Sequence, residues 1–193
     1  MDNSLVPIIK ELERVYDYLA KEFNLTADRP VLTVQTRSRQ KNTLGWFWHD
    51  KWNLDKKDIP EINICAENLN KNPIETLVHE MVHYSLHVEK VDDCNAQGYH
   101  NKHFKARAEL YGLNVEKSGR HGWAFTSISP KLEDLLKKIE INYETFKMVR
   151  NITSTTVAPT KMKKWTCDCT TVRCATDLKA KCNSCGKDFN EEE

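Results

Sequence analysis

The sequence lacks any apolar run long enough to cross a bilayer, and its first twenty residues carry charges throughout. A membrane-spanning helix needs about 18 or more consecutive apolar residues. A secretory signal needs an apolar segment behind a basic start. We therefore expect no signal peptide, no membrane partner and a cytoplasmic location.

The sequence also lacks an excess of charge of either sign, since 29 Lys and Arg balance 28 Asp and Glu to a net charge of +1. A nucleic-acid partner would therefore need a local basic patch. The seven cysteines are an odd number in a chain with no expected export signal. Clustered cysteines in such a chain favour a metal site over a disulfide framework. No pattern points to an organic cofactor.

The cysteines divide the chain. Five of the seven lie in the last 27 residues, behind a segment rich in Thr and Ser that is typical of a linker. We predict a body over 1–150, a linker over 151–161 and a small Cys-rich module over 162–193.

Hydrophobic periodicity predicts an α+β body with a small antiparallel sheet. The predicted helices cover 5–23, 72–88, 100–111 and 129–149, and the predicted strands cover 31–36, 45–48 and 61–65.

The helix over 72–88 has the clearest pattern. Asn72 suits the N-cap, Pro73 the first helical position, and Glu75 the third position of a capping box. At 100° per residue, one face gathers four apolar side chains that we expect to be buried: Ile74, Leu77, Val78 and Met81.

The same helix carries the HExxH pattern as His79, Glu80 and His83. Histidines four apart lie one helical turn apart, so both imidazoles can bind a single Zn²⁺. A carboxylate beside them can act as a general base on water. We therefore predict His79 and His83 as ligands of a catalytic zinc and Glu80 as the catalytic residue.

A hydrolytic zinc site needs a third protein ligand. His87 continues the spacing but lies roughly 12 Å along the helix axis from His79, too far to share one ion. The candidates that remain open are His100, His103, His121 and Glu109.

At this point the sequence resembles the SprT-like, Spartan-related zinc metallopeptidases. The resemblance includes HEMVH, the segment Gly98–Lys105, the aromatic stretch Leu44–Trp52 with the strand that follows it, and the terminal cysteines. Asn101 stands where the family has Gly, and Gly98 precedes His100 by two positions. Phe104 keeps its offset from His100, so the resemblance implies that His100 is the third ligand, with His103 and Glu109 as fallbacks.

The resemblance also implies a zincin-like body that hydrolyses peptide bonds in a protein or peptide substrate. In this hypothesis the strand over Ile62–Ile64 lies beside the cleft and pairs with the substrate main chain. The alternative, from another functional class, is a nucleic-acid-binding zinc protein whose peptidase body is weak or silent.

The C-terminal cysteines form Cys167-x-Cys169 and Cys182-x-x-Cys185-Gly, which matches a structural zinc ribbon of the type that many family members carry. Cys174 is an alternative to Cys167 or Cys169. The expected cofactors are one catalytic and one structural Zn²⁺.

Residues 161–187 are basic, with seven Lys and Arg against two Asp. We predict contacts to DNA phosphates by Lys163, Lys164 and Arg173, with Trp165 stacking on a base. The alternative is a solvated Lys-rich surface with Trp165 filling the ribbon core. If DNA binds, the substrates would be proteins attached to DNA, and the location would be nuclear or at the nucleoid.

Overall fold

The computed structural model describes residues 4–36, 43–151 and 162–192. The chain divides into two compact units, residues 1–152 and 153–193. Except for Asn151, the predicted linker over 151–161 lies outside the described residues. No helix in the described part of the chain is long and apolar enough to cross a membrane.

The larger unit combines helices with two small sheets, as the predicted α+β class requires. Its helices among the described residues are α1 (Val6–Glu22), α2 (Pro73–Val88), α3 (Lys102–Leu110) and α4 (Pro130–Lys137). The predicted helix over 129–149 is wrong beyond Lys137. Glu140 has a φ of 46°, a left-handed conformation that an α-helix cannot continue, and the chain resumes as a 3₁₀ turn over Tyr143–Lys147.

The first sheet has three strands: β1 (Val31–Gln35), β2 (Gly45–Leu54) and β3 (Lys57–Cys65). The prediction of an antiparallel sheet is wrong, because β1 pairs with β3 in parallel while β2 pairs with β3 antiparallel. The local turn at Asp55 and Lys56 specifies the direction of β2 only, and the direction of β1 depends on packing between distant segments. Both turn residues have positive φ, as in the tight turns that join hairpin strands, so β2 occupies one side of β3 and leaves the other side for β1.

This strand order corrects the predicted substrate strand. Ile62–Ile64 belongs to β3, which lies between β1 and β2 and has its main chain paired on both sides. The described part of this sheet therefore ends at β2, whose first residues also line the histidine cleft.

A second sheet, the hairpin of β4 (Leu113–Ser118) and β5 (Gly122–Ile128), was not predicted. It follows α3 directly and contacts α2. This hairpin forms main-chain hydrogen bonds with His100.

The core packs α2 between α1, the sheets and α3. The predicted buried face of α2 is confirmed, since Ile74, Leu77, Val78 and Met81 are each 0% exposed. The predicted capping box is wrong. Asn72 has a left-handed backbone, and its side chain donates to Glu75 Oε2 at 2.8 Å instead of accepting from a helix N–H.

The smaller unit contains β6 (Lys163–Thr166), β7 (Thr171–Cys174) and β8 (Asn190–Glu192), in the order β7-β6-β8. The central strand carries Trp165, whose side chain is buried.

Candidate metal centre

Three histidines converge at the surface of α2. His79 and His83 lie one turn apart on α2 with ring centroids 5.2 Å apart. His100 precedes α3, and its ring centroid lies 5.3 Å from that of His79 and 4.9 Å from that of His83. One ring nitrogen of each lies within 4.8 Å of the other two, as a shared metal ion requires.

The remaining ring nitrogen of each histidine has its own partner. His79 Nδ1 lies 3.3 Å from Thr126 Oγ1, His83 Nδ1 lies 2.6 Å from Asp93 Oδ2, and His100 Nδ1 lies 3.1 Å from the carbonyl oxygen of Gly98. Each partner can accept a hydrogen bond from Nδ1–H. The Nε2 atoms are then left for a metal, and His83 Nε2 and His100 Nε2 lie 3.1 Å apart.

The protonation of the cluster suits a metal. Burial, reinforced by the neighbouring His83 and His100, moves the pKa of His79 well below its usual value. Burial and His83 lower the pKa of His100 to about 4. Both rings are therefore neutral at pH 7, and the neutral imidazole is the form that binds metals.

Asp93 stays ionised beside His83. Burial raises the pKa of Asp93, but the hydrogen bond and the charge interaction with His83 outweigh burial, so its pKa falls below the usual value. Asp93 and Cys94 form a further group with His83. We interpret this group as a support that orients the ligand His83 and not as a separate metal site, because Asp93 already accepts a hydrogen bond from Nδ1 of His83.

Phe104 forms the floor under the cluster. Its ring centroid lies 4.7 Å from those of His79 and His83 and 4.5 Å from that of His100, and its side chain is 0% exposed. It enters from α3, whose N-cap Asn101 accepts hydrogen bonds from the backbone N–H groups of His103 and Phe104. The position where the family has Gly therefore serves here as the helix cap.

The β4–β5 hairpin holds His100 through the main chain. The backbone N–H of His100 donates to the carbonyl oxygen of His121 at 3.0 Å, and the N–H of Trp123 donates to the carbonyl oxygen of His100 at 3.1 Å. Gly122 lies between them with a φ of 65°, and a Cβ there would lie 2.1 Å from the His100 carbonyl oxygen. Only glycine permits this close approach.

Glu80 lines the same cleft as the three histidines and is 5% exposed. The cleft has a volume of about 510 Å³, and one wall consists of Gly45, Trp46 and Phe47 from β2. A Cβ at Gly45 would lie 2.6 Å from the carbonyl oxygen of Asn63 and 3.3 Å from Glu80 Oε1. The absence of a side chain at Gly45 thus lets β2 lie against the carboxylate.

The structure does not bring the other candidate ligands into the cluster. His87 lies farther along the cleft, where its ring packs 5.5 Å from that of Phe47. His103 and Glu109 are exposed on α3. His121 takes part through its backbone carbonyl, which accepts from His100.

Sequence reasoning missed Asp93, Thr126 and Gly122. Asp93 follows His83 by ten residues, so the sequence alone could have suggested it as a hydrogen-bond partner of His83. Thr126 and Gly122 carry no such signal, because their contacts depend on how the hairpin packs against α2.

The C-terminal unit holds the second metal candidate. Sulfur atoms of Cys167, Cys169, Cys182 and Cys185 lie within 4.8 Å of one another. The backbone N–H groups of Cys185 and Ser184 lower the pKa of the Cys182 thiol to about 6. This favours the thiolate that a zinc ion binds.

Cys174, the alternative ligand, lies outside this group. Its thiol donates to the backbone carbonyl of Thr176 at 3.0 Å.

The predicted nucleic-acid residues are mostly engaged within the ribbon. Lys163 pairs with Asp177 at 2.5 Å and with Glu191 at 3.3 Å, and Lys164 pairs with Glu192 at 2.9 Å. The acidic strand β8 thus neutralises the basic strand β6. Residues 162–192 contain six Lys and Arg against five Asp and Glu, so the local excess of positive charge is small.

Two further nucleic-acid candidates differ in exposure. Trp165 is 9% exposed, which agrees with the alternative that it fills the ribbon core. Arg173 lies on β7, and among the described residues its side chain has no ion pair.

Comparison with known proteins supplies a family for the larger unit. Residues 12–121 match the model of the SprT-like family, which covers more than half of the chain. No curated protein and no solved structure matched the sequence.

Proposed function

We propose that this chain, which belongs to the SprT-like family, is a zinc-dependent metalloendopeptidase. The observation that carries the proposal is the convergence of His79, His83 and His100 beside the buried carboxylate of Glu80. Family membership suggests the reaction class, and the geometry supplies the groups that the reaction needs.

The donor set fits zinc. Proteins use three imidazoles to hold a hydrolytic Zn²⁺ while leaving one coordination position open. Two of the three here, those of His79 and His100, are neutral at pH 7. When bound, zinc supplies Lewis acidity, which acidifies water and polarises the scissile carbonyl. The Nδ1 contacts to Thr126, Asp93 and the Gly98 carbonyl hold the three rings in the orientation that this requires.

Glu80 acts as the proton carrier. As the oxygen of the attacking water bonds to the peptide carbonyl carbon, the carboxylate accepts a proton from that water. When the C–N bond breaks, the same group returns the proton to the leaving nitrogen. The position of Glu80 one residue after His79 in a helix places it in the cleft that the three histidines line.

The substrate lies along β2 in this proposal. The first residues of β2 line the cleft, and in the described sheet this strand pairs with β3 alone, which leaves its other edge for a substrate main chain. Pairing with main-chain groups favours extended segments over particular side chains. We therefore expect unfolded proteins to be cleaved in preference to folded ones.

A Glu80→Gln variant tests the proposal. Removing a general acid–base group should lower peptide hydrolysis by roughly 100- to 10,000-fold. The zinc content should not change, because Glu80 is outside the ligand group.

The assay measures cleavage of an unfolded protein such as casein together with zinc by elemental analysis. Glu109→Gln is the control, since Glu109 is an exposed carboxylate on α3. A Glu80→Gln chain that cleaves as fast as the unmodified chain would refute the peptidase proposal. So would an unmodified chain that holds zinc in the histidine cluster and cleaves nothing.

The ribbon is proposed to hold a second, structural Zn²⁺ through Cys167, Cys169, Cys182 and Cys185. A unit of about 40 residues has a small core, and a metal with four ligands stabilises such units. Delivery of DNA-attached substrates by this unit is a further hypothesis suggested by the family. This hypothesis requires Lys and Arg side chains in the ribbon that are not paired with the acidic residues of β8.

A further inference from the structure

We propose that Thr126 and Glu75 form a hydrogen-bond relay that fixes the tautomer and orientation of His79, so that the β4–β5 hairpin is part of the zinc site. The inference rests on the proposed function in one respect, namely that His79 binds zinc. Thr126 acts in it as a positioning residue.

The relay follows from which atoms can donate. Thr126 Oγ1 lies 3.2 Å from Glu75 Oε1 and 3.3 Å from His79 Nδ1. Burial raises the pKa of Glu75, and the hydrogen bonds from Thr126 and Asn72 oppose that rise by favouring the ionised carboxylate. An ionised carboxylate only accepts hydrogen bonds, so the single hydroxyl proton of Thr126 points to Glu75. The hydroxyl oxygen then accepts from His79 Nδ1–H. This places the ring proton on Nδ1 and leaves Nε2 as the atom that can bind a metal.

Glu75 is itself held in place. Its other carboxylate oxygen, Oε2, accepts from the side chain of Asn72 at 2.8 Å. The hydrogen bond from Asn72 to Glu75, which replaces the expected capping box, therefore orients the carboxylate of the relay. This carboxylate lies one helical turn before His79.

The hairpin supports two ligands from one element. The residue that contacts the His79 ring, Thr126, is four positions beyond Gly122, whose neighbours hold the His100 main chain. Pairing of Val115 with Thr126 across the hairpin fixes the threonine in register. A shift of β5 would therefore disturb His79 and His100 together.

Gly122 and Thr126 lie outside the family match, which ends at residue 121. The matched segment contains the three histidines but neither Gly122 nor Thr126. The structure thus assigns part of the metal-binding machinery to a segment that the family comparison does not cover.

Thr126→Val tests the relay, because it keeps the shape of the side chain and removes both hydrogen bonds. Loss of such an outer partner typically costs about 10- to 100-fold in metal affinity. Thr126→Ser restores the hydroxyl and should recover most of the zinc affinity that Thr126→Val loses. Ser127→Ala is the control, because this hydroxyl contacts the exposed Asn114 side chain.

The measurement is zinc affinity of the full chain by competition with a chromophoric chelator. Cobalt substitution separates the two sites, since thiolate ligands give intense charge-transfer absorption that imidazoles lack. The ¹⁵N shifts of the His79 ring in the metal-free chain report the tautomer directly. Circular dichroism establishes that each variant is folded.

A double-mutant comparison guards against a Thr126→Val chain that folds poorly. If Glu75 acts through Thr126, adding Glu75→Gln to Thr126→Val should lower zinc affinity no further. Additive losses would refute the relay, as would unchanged affinity in Thr126→Val. Equal losses in the Ser and Val variants would also refute it. Absence of zinc at the histidines of the unmodified chain would instead refute the proposed function.

Discussion

Gly122→Ala should displace His100 from the metal site. The left-handed backbone at this position costs a non-glycine residue roughly 1–2 kcal/mol. The new Cβ would lie 2.1 Å from the His100 carbonyl oxygen and 2.9 Å from the Tyr99 ring, whereas real Cβ contacts are essentially never under 3.0 Å. The His100 main chain and the hairpin must therefore separate by about 0.9 Å.

This displacement is large for a metal ligand. Metal–ligand distances vary by only about 0.2 Å around their usual values. Moving His100 by several times this amount should weaken zinc binding at the histidines by at least about 100-fold, the upper end of the effect of losing an outer partner. Overpacking and backbone strain together should lower the free energy of unfolding by roughly 2–5 kcal/mol.

Another glycine provides the control. Gly119→Ala meets nothing within 4 Å and has no left-handed backbone, so it should leave zinc binding unchanged.

The assay combines chelator competition, for zinc affinity, with urea unfolding of the metal-free chain. If Gly122→Ala binds zinc as tightly as the unmodified chain, the hairpin does not hold His100.

Three further predictions concern the ligands and the ribbon. His100→Ala should abolish tight zinc binding at the body while His103→Ala leaves it intact, and elemental analysis showing the reverse would overturn the assignment. Cys182→Ser should release the zinc of the ribbon and unfold that unit without lowering casein hydrolysis, which zinc analysis and activity measurements check. Deleting Asn190–Glu193 removes Glu191 and Glu192, which pair with Lys163 and Lys164 of β6. Binding to single-stranded DNA at about 50 mM salt should then become tighter and fall steeply as salt rises. Unchanged binding in the truncated chain would show that β8 does not mask a nucleic-acid surface.

Much of the fold could be predicted from local pattern. The apolar stripe of α2 and the class of mixed helices and strands follow from periodicity, which depends on neighbours within one or two turns. The end of α4 could not be predicted, because apolar residues continue past it. The carbonyl oxygens of Ile139 and Glu140 accept instead from Arg14, a contact more than 120 residues away in sequence. The parallel pairing of β1 with β3 joins residues about 30 apart, and no local signal specifies it.

The chemical groups of this protein follow from local patterns in its sequence. Two histidines four residues apart on one helix must share a face with the intervening glutamate at its edge, and cysteine pairs separated by one or two residues must lie close together. How those groups are held depends on contacts between distant elements of the fold. His79 meets Thr126 from 47 residues away, and His100 is fixed by main-chain bonds to the β4–β5 hairpin. Such contacts depend on packing between elements, which spacing along the chain does not encode.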